Sequence, residues 1–374
     1  MFLYSALMIT VHFVIVVGII RACVESRRLF SQSDKGFKVS VIIPARNEAE
    51  NLPSLFASLE RELVPGVEII LADDRSDDNT LPLMRDFASR HDNVKVISNS
   101  QMPPPTMNPK QYMLYLAEKH ASGEILLFTD ADCTVPEKWI SAVCRYFADD
   151  RVGLVFSSVV TTPGTGFVRR YQTFDHLLRF FYTVGAVGLG NPSGGFGNNL
   201  AVRRKALEEA GGFDGIGFSL TEDAQLIASV RNTGKWKVAV CPFRDALVHA
   251  SPQKRLFDVL RQETRWSAGA IFGSDRKTAF MYVFMLMLTF VSTVSFFLIP
   301  FYGPALIQYL TSVFVMVLIS SAGAFWLRPG PEFVLWILPC SFIGTFFYGL
   351  TFFSAFFVSS VNWRGTALKK QKNI

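Results

Sequence analysis

The first 20 residues contain no Asp, Glu, Lys or Arg, and neither do residues 278–327 or 333–363. Stretches without charge cannot form the solvated face of a water-soluble domain, so the ends of this chain belong in an apolar surrounding. Cysteine is scarce as well. Cys23, Cys133, Cys144, Cys241 and Cys340 form no C-x-x-C pair and no disulfide-like spacing. That excludes a disulfide scaffold and fits buried, reduced thiols in the cytoplasm. There is no internal repeat and no long low-complexity tract. A net charge of +6 is accounted for by membrane topology, and no basic-aromatic groove accompanies it, so nucleic acid is not an expected partner.

What is present is grease at the ends and charge in the middle. Of 374 residues, 50% are hydrophobic and 35 are Phe, a composition for a membrane protein rather than a soluble one. Phe2 to Ile20 is about long enough to cross a hydrocarbon core of roughly 30 Å. Its start is uncharged while Arg21, Arg27, Arg28, Lys35 and Lys38 follow it, which reads as a retained anchor and not a cleaved signal. The positive-inside rule then places residues from Arg21 onward in the cytoplasm, at the inner face of the cell membrane.

Three more apolar stretches, 279–300, 303–326 and 333–361, are broken by Pro300, Gly303-Pro304 and Arg328-Pro329-Gly330-Pro331. One anchor plus three spans puts the C-terminus outside, whereas Arg364, Lys369, Lys370 and Lys372 ask to be inside. Either one stretch is re-entrant or interfacial, or the tail breaks the rule. The expected organisation is an anchor over 1–22, a cytoplasmic domain over 23–277 with an interfacial helix at about 253–270, two or three membrane helices within 278–361, and a basic tail over 362–374.

Between about 38 and 275, short β-branched runs alternate with helical segments, the pattern of an α/β domain with a mostly parallel central sheet. Strands are expected over 38–44, 67–72, 94–97, 124–129, 153–159 and 237–241, and helices over 48–63, 81–91, 111–121, 138–147 and 254–269. Open α/β sheets bind ligands beyond the carboxyl ends of their strands. Three polar clusters stand there: Pro44-Ala45-Arg46-Asn47-Glu48, Asp73 to Asp78, and Asp130-Ala131-Asp132.

Asp130 and Asp132 follow the apolar run Ile125 to Phe128. In an extended chain their carboxylates point the same way, which suits Mg²⁺ or Mn²⁺ completed by water and phosphate oxygens; a solvated acidic turn is the alternative. Asp73 and Asp74 sit where carboxylates hold a ribose or base, while Asp77, Asp78 and Asn79 fit a helix-capping turn. Thr221-Glu222-Asp223 opens a helix as a simple cap or as a general base. Gln262, Arg265 and Trp266 share one helical face, as an interfacial belt or as a functional motif.

As an ordered set these pieces resemble the family 2 glycosyltransferases of GT-A fold. The residues that carry the likeness are VSVIIPARNEAENL (39–52), LADDRSDDNT (71–80), FTDADC (128–133), GNNLAVRRKALEEAGGF (197–213), TEDAQL (221–226) and RQETRW (261–266). The resemblance covers roughly residues 38–270. It implies a nucleotide-sugar-binding domain in which Pro44, Ala45, Arg46 and Glu48 line the nucleoside pocket and Asp73 and Asp74 meet base and ribose. Lys110 stands for the family's lysine near the nucleotide, although Pro109 replaces the usual preceding Gly. Asp130 and Asp132 would hold the diphosphate through the metal. In the acid pair Glu222-Asp223, Asp223 would be the catalytic base, and Gln262, Arg265 and Trp266 would grip the donor diphosphate and stack on sugar or acceptor. The family's D-D-G-S turn has Arg75 in place of Gly.

The expected reaction is inverting transfer of a hexose from a nucleotide sugar, UDP-hexose first, onto a hydroxyl of a membrane lipid. In its layout of one anchor and a few C-terminal helices, the chain is similar to ceramide and carotenoid glucosyltransferases. A processive polysaccharide synthase or a polyprenyl-phosphate glycosyltransferase is the alternative. An apolar stripe, Tyr171, Phe174, Leu177, Leu178, Phe181 and Tyr182, either lies at the membrane surface or packs on the sheet.

Overall fold

The computed structural model describes residues 2–33, 35–272, 275–330, 333–357, 360–363 and 366–369. They divide into two compact units. One gathers residues 23–162 and 192–251, the other residues 1–22, 163–191 and 252–374.

The first unit is α/β. In chain order it holds the end of α1 (Phe2–Phe30), β1 (Val39–Ala45), α2 (Leu52–Leu59), β2 (Val67–Asp74), α3 (Thr80–Ser89), β3 (Val94–Asn99), α4 (Pro109–Glu118), β4 (Ile125–Phe128), β5 (Cys133–Thr134), α5 (Trp139–Cys144), β6 (Val152–Ser157) and β7 (Val159–Thr161). After α6 (Phe167–Gly188), which belongs to the other unit, come β8 (Leu200–Arg203), α7 (Arg204–Glu209), α8 (Gly212–Gly215), α9 (Glu222–Asn232), β9 (Lys237–Cys241) and β10 (Val248–Ala250).

Its main sheet runs β3-β2-β1-β4-β8-β6-β9, seven strands among the described residues. The pairs β1·β2, β2·β3, β1·β4 and β6·β9 are parallel, while β8 lies antiparallel to both β4 and β6. The apolar runs of β1 and β4 are buried along their length, as strands covered on both faces require. A small sheet, β5-β10-β7, extends the acidic loop after β4: the Ser251 N–H donates to the Asp132 carbonyl at 2.9 Å.

Most expected strands and helices appear with ends moved by a few residues, and the segment expected as one strand over 153–159 divides into β6 and the start of β7. Three short strands of this unit were not foreseen: β5, β8 and β10. Two to four residues carry too little alternation to be read as strands.

The second unit is helical: most of α1, then α6, α10 (Leu256–Phe272), α11 (Arg276–Leu298), α12 (Ala305–Leu327), α13 (Phe333–Phe357) and the hairpin of β11 (Ser360–Trp363) and β12 (Thr366–Lys369). Helices α1, α11, α12 and α13 are long and apolar enough to cross a membrane. The third C-terminal stretch is helical over Phe333–Phe357 among the described residues. Arg364, Lys370 and Lys372 of the basic tail lie outside the described residues.

Residues 163–191 and 252–272, within the expected block 23–277, group with the apolar helices. The apolar stripe of α6 is interior to this unit: Tyr171, Phe174, Leu177, Leu178 and Phe181 are almost wholly buried, with the Tyr171 ring tilted against that of Phe347 and the Tyr182 hydroxyl 2.7 Å from His12 Nε2. Helices α1 and α6 cross at glycines. A β-carbon on Gly188 would strike the Gly18 carbonyl oxygen, and one on Gly18 would strike that of Gly185, so only hydrogen fits where the two backbones meet.

Candidate active site

At the carboxyl ends of β1 and β2, the register sets Ala45 beside Asp73, and Asp73 in turn beside Ser98. Asp73 Oδ2 accepts from the Ser98 hydroxyl at 3.3 Å, while its buried Oδ1 has no hydrogen-bond partner. A buried carboxylate oxygen without a donor is costly. An N–H or O–H of a bound nucleoside is a chemically suitable donor for it.

Asp74 is held differently. Arg75 donates to both of its oxygens, at 2.7 and 2.9 Å, and Arg46 stands 3.8 Å away. Arg75 adopts φ +54°, the left-handed conformation that explains why a glycine is usual there; its side chain turns back onto the preceding aspartate. The loops 45–49 and 75–80 are cross-linked: Thr80 Oγ1 accepts from the Glu48 N–H at 2.8 Å, Asn47 Oδ1 from the Asp77 N–H at 2.8 Å, and Asp78 from Ala49 and Thr80 N–H groups. Glu48 is buried and accepts from Asn51 at 2.6 Å. It therefore shapes the loop, and Pro44 and Ala45 close the end of β1 beneath it.

The acidic centre lies across the sheet. Asp130-Ala131-Asp132 is not extended: the Cys133 N–H returns to the Asp130 carbonyl at 3.1 Å, forming a turn. The alignment of carboxylates expected from strand alternation therefore does not apply. Instead Lys110 Nζ contacts Asp130 Oδ1 at 2.7 Å and Glu222 Oε1 at 3.3 Å. These carboxylates and Asp223 together outweigh the cost of burying the ammonium and hold its pKa above the ordinary lysine value.

Local sequence aims that lysine. Asn108 caps α4 in a reciprocal capping box with Gln111, Pro109 occupies the first helical turn where its missing N–H costs nothing, and Lys110 follows. The Pro109 that departs from the family pattern is thus a helix start. Asn108 also donates to the Ser219 carbonyl at 2.7 Å and to Glu222 Oε2 at 3.3 Å, tying α4 to the start of α9.

Thr221 makes no side-chain cap, so capping does not account for the acids that follow it. Asp223 Oδ2 accepts from the Gly197 N–H at 2.8 Å and Oδ1 from the Ala224 N–H at 2.8 Å. Leu114, Phe128, Leu200, Phe213 and Leu226 line the space beside it. Burial first, and then the charge of Glu222, push the Asp223 carboxyl above the ordinary aspartate range, with Lys110 pulling against both.

Three carboxylates, Asp130, Glu222 and Asp223, thus gather about one lysine, with Asp132 two residues beyond Asp130 in the same turn. Among the described residues no three His, Cys, Asp or Glu side chains form a closed metal cage. One or two carboxylates leaving room for phosphate oxygens and water is the donor set that suits Mg²⁺ or Mn²⁺, and the local excess of negative charge fits a dication held by Asp130 and Asp132.

In the helical unit, Gln262 and Trp266 lie on one face of α10, where Gln262 Oε1 accepts from Gln172 Nε2 at 3.2 Å. The Trp266 ring centroid is 5.6 Å from the Arg179 guanidinium and 5.8 Å from the His176 ring. Arg265 is half-buried on the same helix. Asn108, Gln172 and Arg179 were not singled out by sequence reading, although Asn108 carries a capping signal.

A family model, Glycosyl transferase family 21, matches residues 7–373. The chain belongs to glycosyl transferase family 21. It is 31% identical over 151 residues to the 4,4'-diaponeurosporenoate glycosyltransferase of Staphylococcus haemolyticus, covering 40% of this chain and 37% of that one. It is 26% identical over 234 residues to the beta-monoglucosyldiacylglycerol synthase of Trichormus variabilis, covering 62% and 48%. Such matches span only about a third to about a half of the relatives' own length. Among solved structures, the mannosyltransferase PcManGT of Pyrobaculum calidifontis, in complex with GDP-Man and Mn²⁺, superposes with a TM-score of 0.56 at 17% identity over 95% of this chain and 97% of that one. This family 21 chain therefore has the GT-A-like fold, with its mostly parallel sheet and its N-terminal and C-terminal apolar helices.

Proposed function

We propose that this family 21 protein moves a hexose from a nucleotide sugar onto a hydroxyl of a membrane lipid with inversion at the anomeric carbon, UDP-hexose being the first donor to test. The observation that carries the reading is the Lys110-centred cluster of Asp130, Glu222 and Asp223 beyond the carboxyl ends of the sheet. Asp73 and Asp74 hold base and ribose, and Arg46 with the loop fixed by Glu48 encloses the nucleoside. Asp223 takes the acceptor proton as the new bond forms, its raised pKa suiting a base that works near neutral pH. When bound, a dication on Asp130 and Asp132 supplies charge neutralisation to the departing diphosphate. Glu222 keeps Lys110 in place, and Gln262, Arg265 and Trp266 serve the donor diphosphate and the acceptor.

Support for a lipid acceptor comes from the four apolar helices and from relatives named for a carotenoid acid and for diacylglycerol. The basic cluster after the anchor supports a cytoplasmic catalytic unit. Purified protein in nanodiscs, given Mn²⁺, lipid extract and either UDP-glucose or GDP-mannose, should yield an organic-soluble lipid bearing one sugar or very few. A long water-soluble polymer would overturn single transfer, and product formed only on polyprenyl phosphate would replace the hydroxyl acceptor.

A further inference from the structure

Helix α6 carries a second stripe opposite in character to its apolar one. Gln172, Asp175, His176 and Arg179 stand at i, i+3, i+4 and i+7 and so share a face, and each meets α10 or the residues around it. Gln172 uses both ends of its amide: Nε2 donates to Gln262 Oε1 at 3.2 Å and Oε1 accepts from the Gln253 N–H at 2.7 Å. Two turns along, Arg179 Nε donates to Asp175 Oδ1 at 2.7 Å and Nη1 to the Tyr282 hydroxyl at 3.0 Å, while Nη2 pairs with Glu263 Oε2 at 3.5 Å. The Tyr348 hydroxyl donates to Asp175 at 2.6 Å and the Thr351 hydroxyl to Glu263 at 3.2 Å. Asp175 is 1% exposed and Glu263 0%.

A buried guanidinium between two buried carboxyls is a poor way to stabilise helices. Leucines would pack α6 on α10 without desolvating three ionisable groups, and replacing such triads by apolar residues is often neutral or better for stability. What the cluster supplies is a fixed place for the guanidinium, and that place is above a ring of the Q-x-x-R-W segment: the Arg179 carbon lies 5.6 Å from the Trp266 centroid, and the His176 ring 5.8 Å from it. Of the α10 residues reached from α6, Gln262 by Gln172 and Trp266 by Arg179 are members of that motif, and Glu263, also held by Arg179, lies between them.

We infer that Gln172 and Arg179 are positioning residues for the Q-x-x-R-W motif, Gln172 setting the Gln262 amide and Arg179, braced by Asp175 and Glu263, setting the Trp266 ring. This rests on the reading of Gln262 and Trp266 as donor and acceptor contacts. Neither α6 residue touches substrate. They act through α10, and the rotamers of Gln262 and Trp266 are what they determine.

The decisive probe is full-length protein in nanodiscs, labelled with 5-fluorotryptophan, in which the Trp266 ¹⁹F line is assigned by its loss in Trp266→Phe. Arg179→Lys keeps a cation but loses the planar fork. It should shift or split the Trp266 line while the other five tryptophans keep theirs, lower turnover about tenfold, and leave Tm within a few degrees. In the Trp266→Phe background the same change should alter the residual rate less than twofold, because residues acting through one another are not additive. Equal losses in both backgrounds, or an unmoved Trp266 line, overturn the proposal. Should Arg179→Lys fail to fold, Gln172→Leu against Gln262→Leu decides by the same criterion of non-additivity. A wild-type protein that makes no glycosylated lipid, but whose Trp266 line responds to Arg179→Lys, refutes the function and leaves the positioning intact.

Discussion

Lys110 Nζ lies 2.7 Å from Asp130 Oδ1, a cation seated on the carboxylate expected to meet a metal. Lys110→Met removes a charge that competes for Asp130, and two unit charges about 4 Å apart in water are worth ~1 kcal/mol, or about fivefold in affinity. Mn²⁺ binding followed by electron paramagnetic resonance should therefore tighten by about that factor while turnover falls, since Glu222 loses the Lys110 ammonium. Weaker Mn²⁺ binding would mean that Lys110 organises the metal site instead of competing for it.

Asp132→Asn and Asp223→Asn should separate binding from chemistry. The first removes a metal ligand, so UDP affinity in Mn²⁺ and transfer both drop. The second should leave UDP affinity nearly unchanged and cost about 10² to 10⁴ in rate. Calorimetric titration beside a transfer assay reads both, and near-normal turnover in Asp223→Asn sinks the base assignment.

A raised carboxyl pKa at Asp223 sets the sign of the pH dependence. The base must be ionised, so activity falls as pH drops through the raised value, and the acid limb of kcat/KM should lie above the ordinary aspartate range. Because Lys110 favours the ionised form, the residual activity of Lys110→Met should show that limb at still higher pH. An acid limb moving downward contradicts the assignment.

Gly188→Ala tests the crossing of α1 and α6. A methyl there meets backbone, which cannot rotate away, so a loss of about 1–3 kcal/mol in stability is expected, as for other overpacked contacts. Thermal unfolding in detergent measures it; an unchanged Tm would show that the crossing is looser than the glycines imply.

Orientation is open to direct labelling. A cysteine introduced at Ser33 should resist a membrane-impermeant thiol reagent added to intact cells, because the basic residues Arg21, Arg27 and Arg28 precede it. Ready labelling from outside would reverse the topology.

The parallel core was legible because β1, β2 and β4 are largely apolar runs followed by polar residues, acids in the case of β2 and β4, a pattern that strand-end logic detects. Strand β8 was not. Its four residues lie inside a stretch read as a motif, and their strand character comes from pairing with β4 and β6, contacts that are remote in sequence. Asp130 and Asp132 were found as a pair, but the turn that breaks their alternation depends on the β5·β10 ladder. Arg179 lies beside an apolar stripe, and nothing local marks it as a site residue. Its partners Glu263, Tyr282 and Tyr348 lie between 84 and 169 positions away, as 263 − 179 and 348 − 179 show, and no local pattern announces them.

Strand β4 is synthesised before α6, and its antiparallel neighbour β8 after it. The ribosome therefore delivers a helix of the apolar unit while the sheet still lacks the strand that joins β4 to β6. An unfinished sheet presents bare backbone along the open edge of β4 until residues 200–203 arrive. Biogenesis of this protein must accordingly keep that edge from pairing with foreign strands for the whole interval in which α6 is being made.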